Sequence, residues 1–468
     1  MSLSIPDDLW AHLCKFRNAP ALMTTNRTAT WGELLDDADS VASALYMQGV
    51  RPGDLVALWG TSEACTVRRL FAIWRAGAVA VPLNTRLPVA AAAHDLLDIN
   101  CRFLLTDERP IDAPITRLSS EPCDQKIELP SFDARRPATA LFTSGSSGAA
   151  KACLHTFGNH LFNALGANAN MPFALGDCWL LSLPLHHVSG IAILFRAMIT
   201  GAAVGVQDDK PLSSALAALP ITHLSLVTTQ LLRLLDDAAC VKRLQQLKAI
   251  LLGGSAIPEP LIRRAHDLRL AIFLTYGLTE TASQVVTTRP NDDLNDLLAG
   301  GRPLPFRELK ILDNEIWVRG QTLFRGYLQK EGLRSPMDAD GWFATGDLGA
   351  MDAQGRLRVI GRRDNLFISG GENIYPEEIE RALLRLPNVE QAVVVPLTDQ
   401  AFGHRPALFL KLKGAEPLDL AVLRDELPGY KIPKIIFAWP EELPTGLKIN
   451  RRFFIKRAQE LFQSRDAK

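Results

Sequence analysis

The chain has no long apolar run. Even Ile191 to Ile199 is cut by Arg196, so no stretch reaches the roughly 18–20 residues that a membrane helix needs. No charge sign is in excess: 51 Lys plus Arg balance 51 Asp plus Glu, which argues against a nucleic-acid or anionic-membrane partner held by a long-range field. Cysteine pairs are missing too. The seven cysteines contain no C-x-x-C and none lies beyond Cys240, the pattern of reduced thiols. At the N-terminus Asp7, Asp8 and Pro6 stand where a secretory leader would carry basic residues and then an apolar stretch, so the expected location is cytoplasmic. No repeat or low-complexity tract is present.

The chain does have core-forming capacity. With 468 residues, 47% of them hydrophobic, it can bury an extensive interior and should divide into at least two domains. The first part alternates helical and strand patterns. A helix is expected around Ser40 to Gln48, and buried strands at Leu55–Trp59, Ala78–Leu83, Phe103–Leu105, Ala202–Val206, His223–Val227, Ala249–Leu252 and Ala271–Leu274. Several of these strands open onto Gly, Ser or Thr at their C-terminal ends, where ligands of layered α/β folds bind. After about residue 300 the pattern becomes hairpin-like, as in Glu308–Val318 and Gly355–Ile360. Beyond Gly361 come a helix begun by Pro376, strands at Val389–Val395 and Ala407–Leu412, and a helix between Leu418 and Leu427. The fold class is α/β: a large N-terminal domain (1–361) of layered α/β subdomains plus a β-rich subdomain, and a small α+β C-terminal domain (362–468).

Four short segments carry chemistry. Thr143-Ser144-Gly145-Ser146-Ser147-Gly148-Ala149-Ala150-Lys151 offers backbone N–H groups, hydroxyls and a lysine to a polyphosphate. Alone, such a run is more often a surface linker. It is not a Walker loop, because Ala150 precedes the lysine and Ala152 follows it. Tyr276-Gly277-Leu278-Thr279-Glu280 places an aromatic face, a hydroxyl and a carboxylate at a strand end, suited to adenine, phosphate and Mg²⁺. Thr345-Gly346-Asp347 offers a carboxylate on a turn, suited to a ribose diol, and Lys448 follows Pro444-Thr445-Gly446-Leu447. Alone, the Tyr276 segment reads about as well as a polar turn, Thr345-Gly346-Asp347 as a plain hairpin turn and Lys448 as a solvated surface cation.

In this order and at these separations the segments resemble the adenylate-forming superfamily of acyl-CoA synthetases, nonribosomal adenylation domains and luciferases. Gly77 to Asn84, Gly361-Arg362-Arg363-Asp364 and Pro376-Glu377-Glu378-Ile379-Glu380 match it in register. The resemblance implies an AMP-forming acid–thiol ligase using ATP, Mg²⁺ and CoA, with a mobile C-terminal domain. It implies that Thr143, Ser144, Gly145, Ser146, Ser147, Gly148 and Lys151 cradle the phosphates, that Tyr276 and Gly277 line the adenine site, that Thr279 touches the α-phosphate and that Glu280 holds Mg²⁺. Asp347 and Arg362 would bind ribose, Asp364 would be the hinge and Lys448 the catalytic lysine. Gly370 and Gly371 would let the pantetheine arm of CoA pass.

Within the superfamily, Trp179 to Gly190, Leu251 to Pro258, Asp364 to Glu372 and Phe402 to Pro406 look closest to the o-succinylbenzoate-CoA ligases of menaquinone biosynthesis. That implies His187, Ser189, Gly253 and Gly254 at the acyl pocket. It also implies a cation for the substrate's second carboxylate, with Arg233 preferred and Arg196 the other candidate. A ligase for another aryl or medium-chain acid, or a non-catalytic adenylate-binding protein, remains open at this point. A homodimer is compatible with the sequence.

Overall fold

The computed structural model describes residues 4–60, 63–107, 111, 113–125, 127–143, 150–207, 211–414, 418–443 and 450–466. Ser144, Gly145, Ser146, Ser147, Gly148 and Lys448 lie outside the described residues.

Two large sheets dominate. One has eight strands in the order 332–334, 326–329, 151–156, 137–143, 79–82, 55–59, 103–106, 116–118. The other has nine, running from 302–303 through 283–287, 272–278, 249–252, 223–226, 178–181, 203–206 and 20–23 to 28–30. Their inner strands are parallel, as expected of apolar runs joined by helices. Among the antiparallel pairs, Pro137–Thr143 with Lys151–Thr156 flanks the phosphate motif, and Ile272–Leu278 with Ser283–Thr287 flanks Thr279-Glu280.

Helices Trp31–Met47, Glu63–Arg75, Phe157–Asn170 and Val188–Thr200 fill the space between the sheets. The first starts earlier than the apolar pattern alone suggests, because Thr30 and Glu33 close a capping box that satisfies the free N–H groups of the first turn. Trp31, Phe71, Trp74, Phe157 and Phe195 meet in this layer, with the Trp74 and Phe195 centroids 5.2 Å apart. The indole N–H groups of Trp31 and Trp74 donate to Gly201 O at 3.0 Å and Ala138 O at 2.9 Å, so no polar atom of either ring is left unsatisfied. This layer fixes the two sets of strand ends relative to one another.

A four-stranded antiparallel sheet follows, in the order 307–312, 315–320, 343–351, 357–362. Asp364 lies just beyond it, in the single turn Arg363–Asn365. The chain then forms a three-stranded sheet, Val389–Asp399, Gly403–Leu412 and Ile435–Ala438, covered by helices Pro376–Leu384 and Arg451–Asp466 with cores of their own. The helix expected between Leu418 and Leu427 is a 3₁₀ segment, Leu420–Asp425. It is confined between the Asp419 cap and Pro428-Gly429 and is too short to repay α-helix nucleation.

Candidate functional site

The C-terminal ends of the central strands of both large sheets open toward one region. Thr143 ends its strand opposite Lys151, which stands exposed at the start of the next strand. Across the cleft the strand Ile272–Leu278 has a bulge at Tyr276/Gly277. A Cβ on Gly277 would lie 1.8 Å from Ser283 O, so only glycine permits this return of the chain. Ala282 (φ 54°) and Ser283 (φ 118°) sit in the left-handed region just after the 3₁₀ turn Thr279–Thr281. Strain of this kind persists only where the surroundings over-determine it.

The surroundings do so here. His155, buried, donates from Nε2 to Thr279 O at 2.7 Å; burial pushes its pKa down to about 4, so it acts as a neutral imidazole. Phe324 N donates to Glu280 O at 2.8 Å, and Tyr327 Oη donates to Glu280 Oε1 at 2.9 Å. Lys151 Nζ lies 5.2 Å from the centroid of the same Tyr327 ring.

A second cluster adjoins this one. Asp347, 5% exposed, accepts from Tyr276 Oη at 2.7 Å and pairs with Arg362 at 3.0 Å. Burial raises the Asp347 pKa above the ordinary carboxylate value, opposed by Arg362 and Tyr276, while the charge of Glu280 raises it further. Burial also raises the Tyr276 hydroxyl, followed by the charge of Asp347, so that hydroxyl stays a donor. Arg362 lies 4.0 Å from Asp364. Lys151, Glu280, Tyr276, Asp347 and Arg362 are therefore brought together.

Among the described residues no three His, Cys, Asp or Glu side chains gather as a metal cage. One carboxylate close to Lys151 fits magnesium, which usually takes one or two carboxylates and completes its shell with phosphate and water oxygens. Glu280 fits that role.

The remaining candidates are more dispersed. His187 is exposed at the start of the helix Val188–Thr200, with the His186 ring 4.4 Å away; Ser189 is half-buried in its first turn. Burial, with His187 and Arg86 adding to it, takes the His186 pKa down to about 3. Both histidines line a cavity of about 240 Å³ with Glu63, Asn84 and Arg86. Gly253 packs against Thr275, and Gly254 (φ 84°) turns the chain after the strand Ala249–Leu252. Gly370 (φ 59°) and Gly371 (φ 89°) form the two-residue turn between Ser369 and Glu372, where two left-handed residues are required, and a Cβ on Gly370 would lie 2.6 Å from the Phe402 ring. Hairpin geometry thus accounts for both glycines on its own.

The two arginines separate clearly. Arg233 is exposed on the helix Thr228–Leu235, contrary to what a pocket cation requires. Arg196, 1% exposed, lies 4.6 Å from the Trp179 ring centroid and donates to Gln284 Oε1 at 2.5 Å. The buried Arg307 adds its charge nearby. Burial takes both guanidinium pKa values down to about 9, and neither has a carboxylate partner among the described residues. Tyr327, His155 and Gln284 were not singled out in the sequence, where none of them lies within the four motif segments.

Comparison with known proteins gives this constellation a context. The family described as AMP-binding enzyme matches residues 9–328, and its C-terminal domain matches residues 378–446. The 2-succinylbenzoate–CoA ligase of Salmonella typhimurium is 39% identical, covering 96% of this chain and 97% of its own. An arginine-to-lysine variant of Escherichia coli MenE with bound OSB-AMS superposes with a TM-score of 0.87 at 36% identity, covering 98% of this chain and 99% of its own. The o-succinylbenzoate coenzyme A synthetase of Bacillus subtilis gives a TM-score of 0.85 in complex with the acyl-adenylate intermediate OSB-AMP (31% identity, 96% and 97% covered). Its complex with ATP and magnesium ion gives 0.85 as well (32% identity, 95% and 98% covered).

Proposed function

The chain belongs to the AMP-binding enzyme family, and on that premise we propose that it is an ATP-dependent acid–thiol ligase. It activates o-succinylbenzoate as the acyl-adenylate and transfers the acyl group to CoA, releasing pyrophosphate and then AMP, the ligase step of menaquinone biosynthesis. The observation that carries this reading is the end-to-end 39% identity to a 2-succinylbenzoate–CoA ligase.

The chemistry explains the residue types. A thiol does not displace carboxylate oxygen at neutral pH until that oxygen becomes part of a better leaving group. In the first half-reaction a substrate carboxylate oxygen attacks the α-phosphorus, the new O–P bond forms and the bond to pyrophosphate breaks. Two anions must approach, so fixed donors placed where negative charge accumulates lower the barrier. The run Thr143 to Lys151 takes the phosphates, Thr279 the α-phosphate, and Lys448 the charge at the reacting oxygens. A cation about 4 Å from an anion contributes about 4 kcal/mol at an effective dielectric near 20. Glu280 would hold magnesium, which when bound withdraws charge from the phosphate oxygens. Tyr276 flanks adenine beside Gly277, and Asp347 with Arg362 takes the ribose.

In the second half-reaction the thiol sulfur attacks the acyl carbon, the C–S bond forms and AMP leaves with the bonding pair. Residues 1–361 and 362–468 act as two domains turning about Asp364, so that Lys448 withdraws and the Gly370-Gly371 turn comes to flank the arm of CoA. His187 and Ser189 border the acyl pocket, with Gly253 and Gly254 as its floor.

Arg196, rather than Arg233, answers the second substrate carboxylate. A buried guanidinium without an acidic partner is costly, and an anionic ligand removes that cost. The partners are the small acid, ATP and CoA, in the cytoplasm; light scattering tests whether the enzyme is a homodimer. Incubation with ATP, magnesium, CoA and a panel of aryl and medium-chain acids, read by mass spectrometry, tests the whole reading. o-Succinylbenzoyl-CoA should dominate, and thioesters of other acids only, or none, would refute it.

A further inference from the structure

Tyr327 belongs to no motif used above, yet it touches two of the groups that handle phosphate. Its strand, Gly326–Gln329, pairs antiparallel with Lys151–Thr156, and Tyr327 lies directly opposite Cys153. Residues two apart on a strand share a face, so Lys151 and Cys153 point the same way and the Tyr327 ring lies diagonally across from Lys151. The result is the 5.2 Å approach of Lys151 Nζ to the ring centroid.

The ring is fixed from behind. Phe324 meets it edge-on with centroids 4.9 Å apart. The preceding segment is tied down by the buried Asn159, whose Nδ2 donates to Gln321 O at 2.9 Å and Leu323 O at 2.8 Å. Phe324 N in turn holds Glu280 O at 2.8 Å. The hydroxyl that reaches Glu280 Oε1 is therefore delivered by a rigid frame, while Glu280 Oε2 has no hydrogen bond among the described residues.

We propose that Tyr327 is a positioning residue for the metal-bound nucleotide: its hydroxyl holds one oxygen of Glu280 so that the other is presented to the cation, and its ring face aims Lys151 at the phosphates. A glutamate side chain left free would have to be ordered when the metal arrives, and tyrosine removes that cost beforehand. Partners behind a metal ligand commonly change metal affinity by 10–100-fold when removed. The proposal rests on the assignment of Glu280 to the metal, and the experiment separates the two.

Manganese stands in for magnesium and is read by electron paramagnetic resonance in the presence of a non-hydrolysable ATP analogue. Tyr327→Phe, which keeps the ring, should weaken manganese binding about 10-fold while metal-free binding of the analogue stays within about twofold of wild type. Tyr327→Leu, which also removes the ring face, should weaken both. Wild-type manganese affinity in Tyr327→Phe, with the affinity lost in Glu280→Gln, would overturn the proposal alone. Wild-type affinity in Glu280→Gln would overturn the metal assignment and the proposal with it. The variants must also split the half-reactions: thioester formation from supplied acyl-adenylate should persist, and equal loss in both halves would mark Tyr327 as merely structural.

Discussion

Asp347 gives the sharpest test of the nucleotide site, because its role can be isolated with a substrate analogue. Its carboxylate already accepts from Tyr276 at 2.7 Å and from Arg362 at 3.0 Å, one oxygen each. An ionised carboxylate has about four acceptor positions, so each oxygen keeps one for a ribose hydroxyl. Hydrogen bonds to a charged group contribute about 1.5–3 kcal/mol each, so losing two should cost about 3 kcal/mol, or roughly 150-fold. Isothermal titration calorimetry should show that weakening when 2′,3′-dideoxy-ATP replaces ATP on the wild-type protein. Asp347→Asn should bind ATP more weakly and discriminate between the two nucleotides by only about tenfold, since neutral hydrogen bonds are worth about half as much. The sign of the pH effect follows from burial, which raises the pKa of Asp347. The charged form binds the diol, so affinity should fall on acidification at a higher pH than an ordinary carboxylate would require, and Asp347→Asn should lack that limb. Full discrimination in the variant, or none in the wild type, would refute the assignment.

Other tests address other parts of the molecule. Arg196→Met should raise the KM for o-succinylbenzoate by about 1–3 kcal/mol, or roughly 5–150-fold, with little effect on the KM for ATP, whereas Arg233→Gln should change neither; steady-state kinetics decide. Lys448→Ala should suppress pyrophosphate release yet spare thioester formation from supplied acyl-adenylate, and equal loss in both would contradict domain rotation. Glu380 makes a bidentate pair with Arg451 at 2.6 and 3.0 Å, so Glu380→Ala should destabilise the C-terminal unit by about 3–5 kcal/mol in denaturant unfolding. Burial holds His155 and His223 at a pKa of about 4, His186 at about 3 and His160 well below its ordinary value. Unfolded histidines titrate near 6.5, so the native state should lose about 1.3 kcal/mol for each of these histidines between pH 7.5 and 5.5, about 5 kcal/mol in all. Glu63, raised to about 7 by burial, gains protons over the same range and returns about 2 kcal/mol, so urea titrations should show a net loss of about 3 kcal/mol on acidification.

The fold was legible where a segment's partners did not matter. Leu55–Trp59 and Ala249–Leu252 are strands with the very limits that their apolar runs suggest, because strands buried on both faces read as continuous hydrophobic stretches. Ile272–Leu278 runs four residues past its apolar stretch, since Thr275 to Leu278 are held by pairing with Ser283–Thr287 rather than by their own hydrophobicity. Leu420–Asp425 departs in the opposite direction: the apolar spacing is present, but the length is not.

The same distinction governs the site. Lys151, Glu280 and Asp347 stand out because glycine, hydroxyl and charge cluster around them in sequence, and local chemistry announces itself locally. Arg196 and Arg233 both interrupt apolar helical stretches, and sequence periodicity does not say which helix is covered. Arg196 lies in the layer between the two sheets, so its whole circumference is buried, whereas Thr228–Leu235 packs by one face and turns Arg233 outward. Tyr327 and His155 are harder still, for each works on a residue more than 40 positions away, through a tertiary contact that no local pattern specifies. Residues that meet substrate carry their chemistry in their own neighbourhood, while residues that hold them in place acquire a role only when the strands pair. A search for the supports of such a site should therefore start from strand register and proceed outward from the ligating atoms.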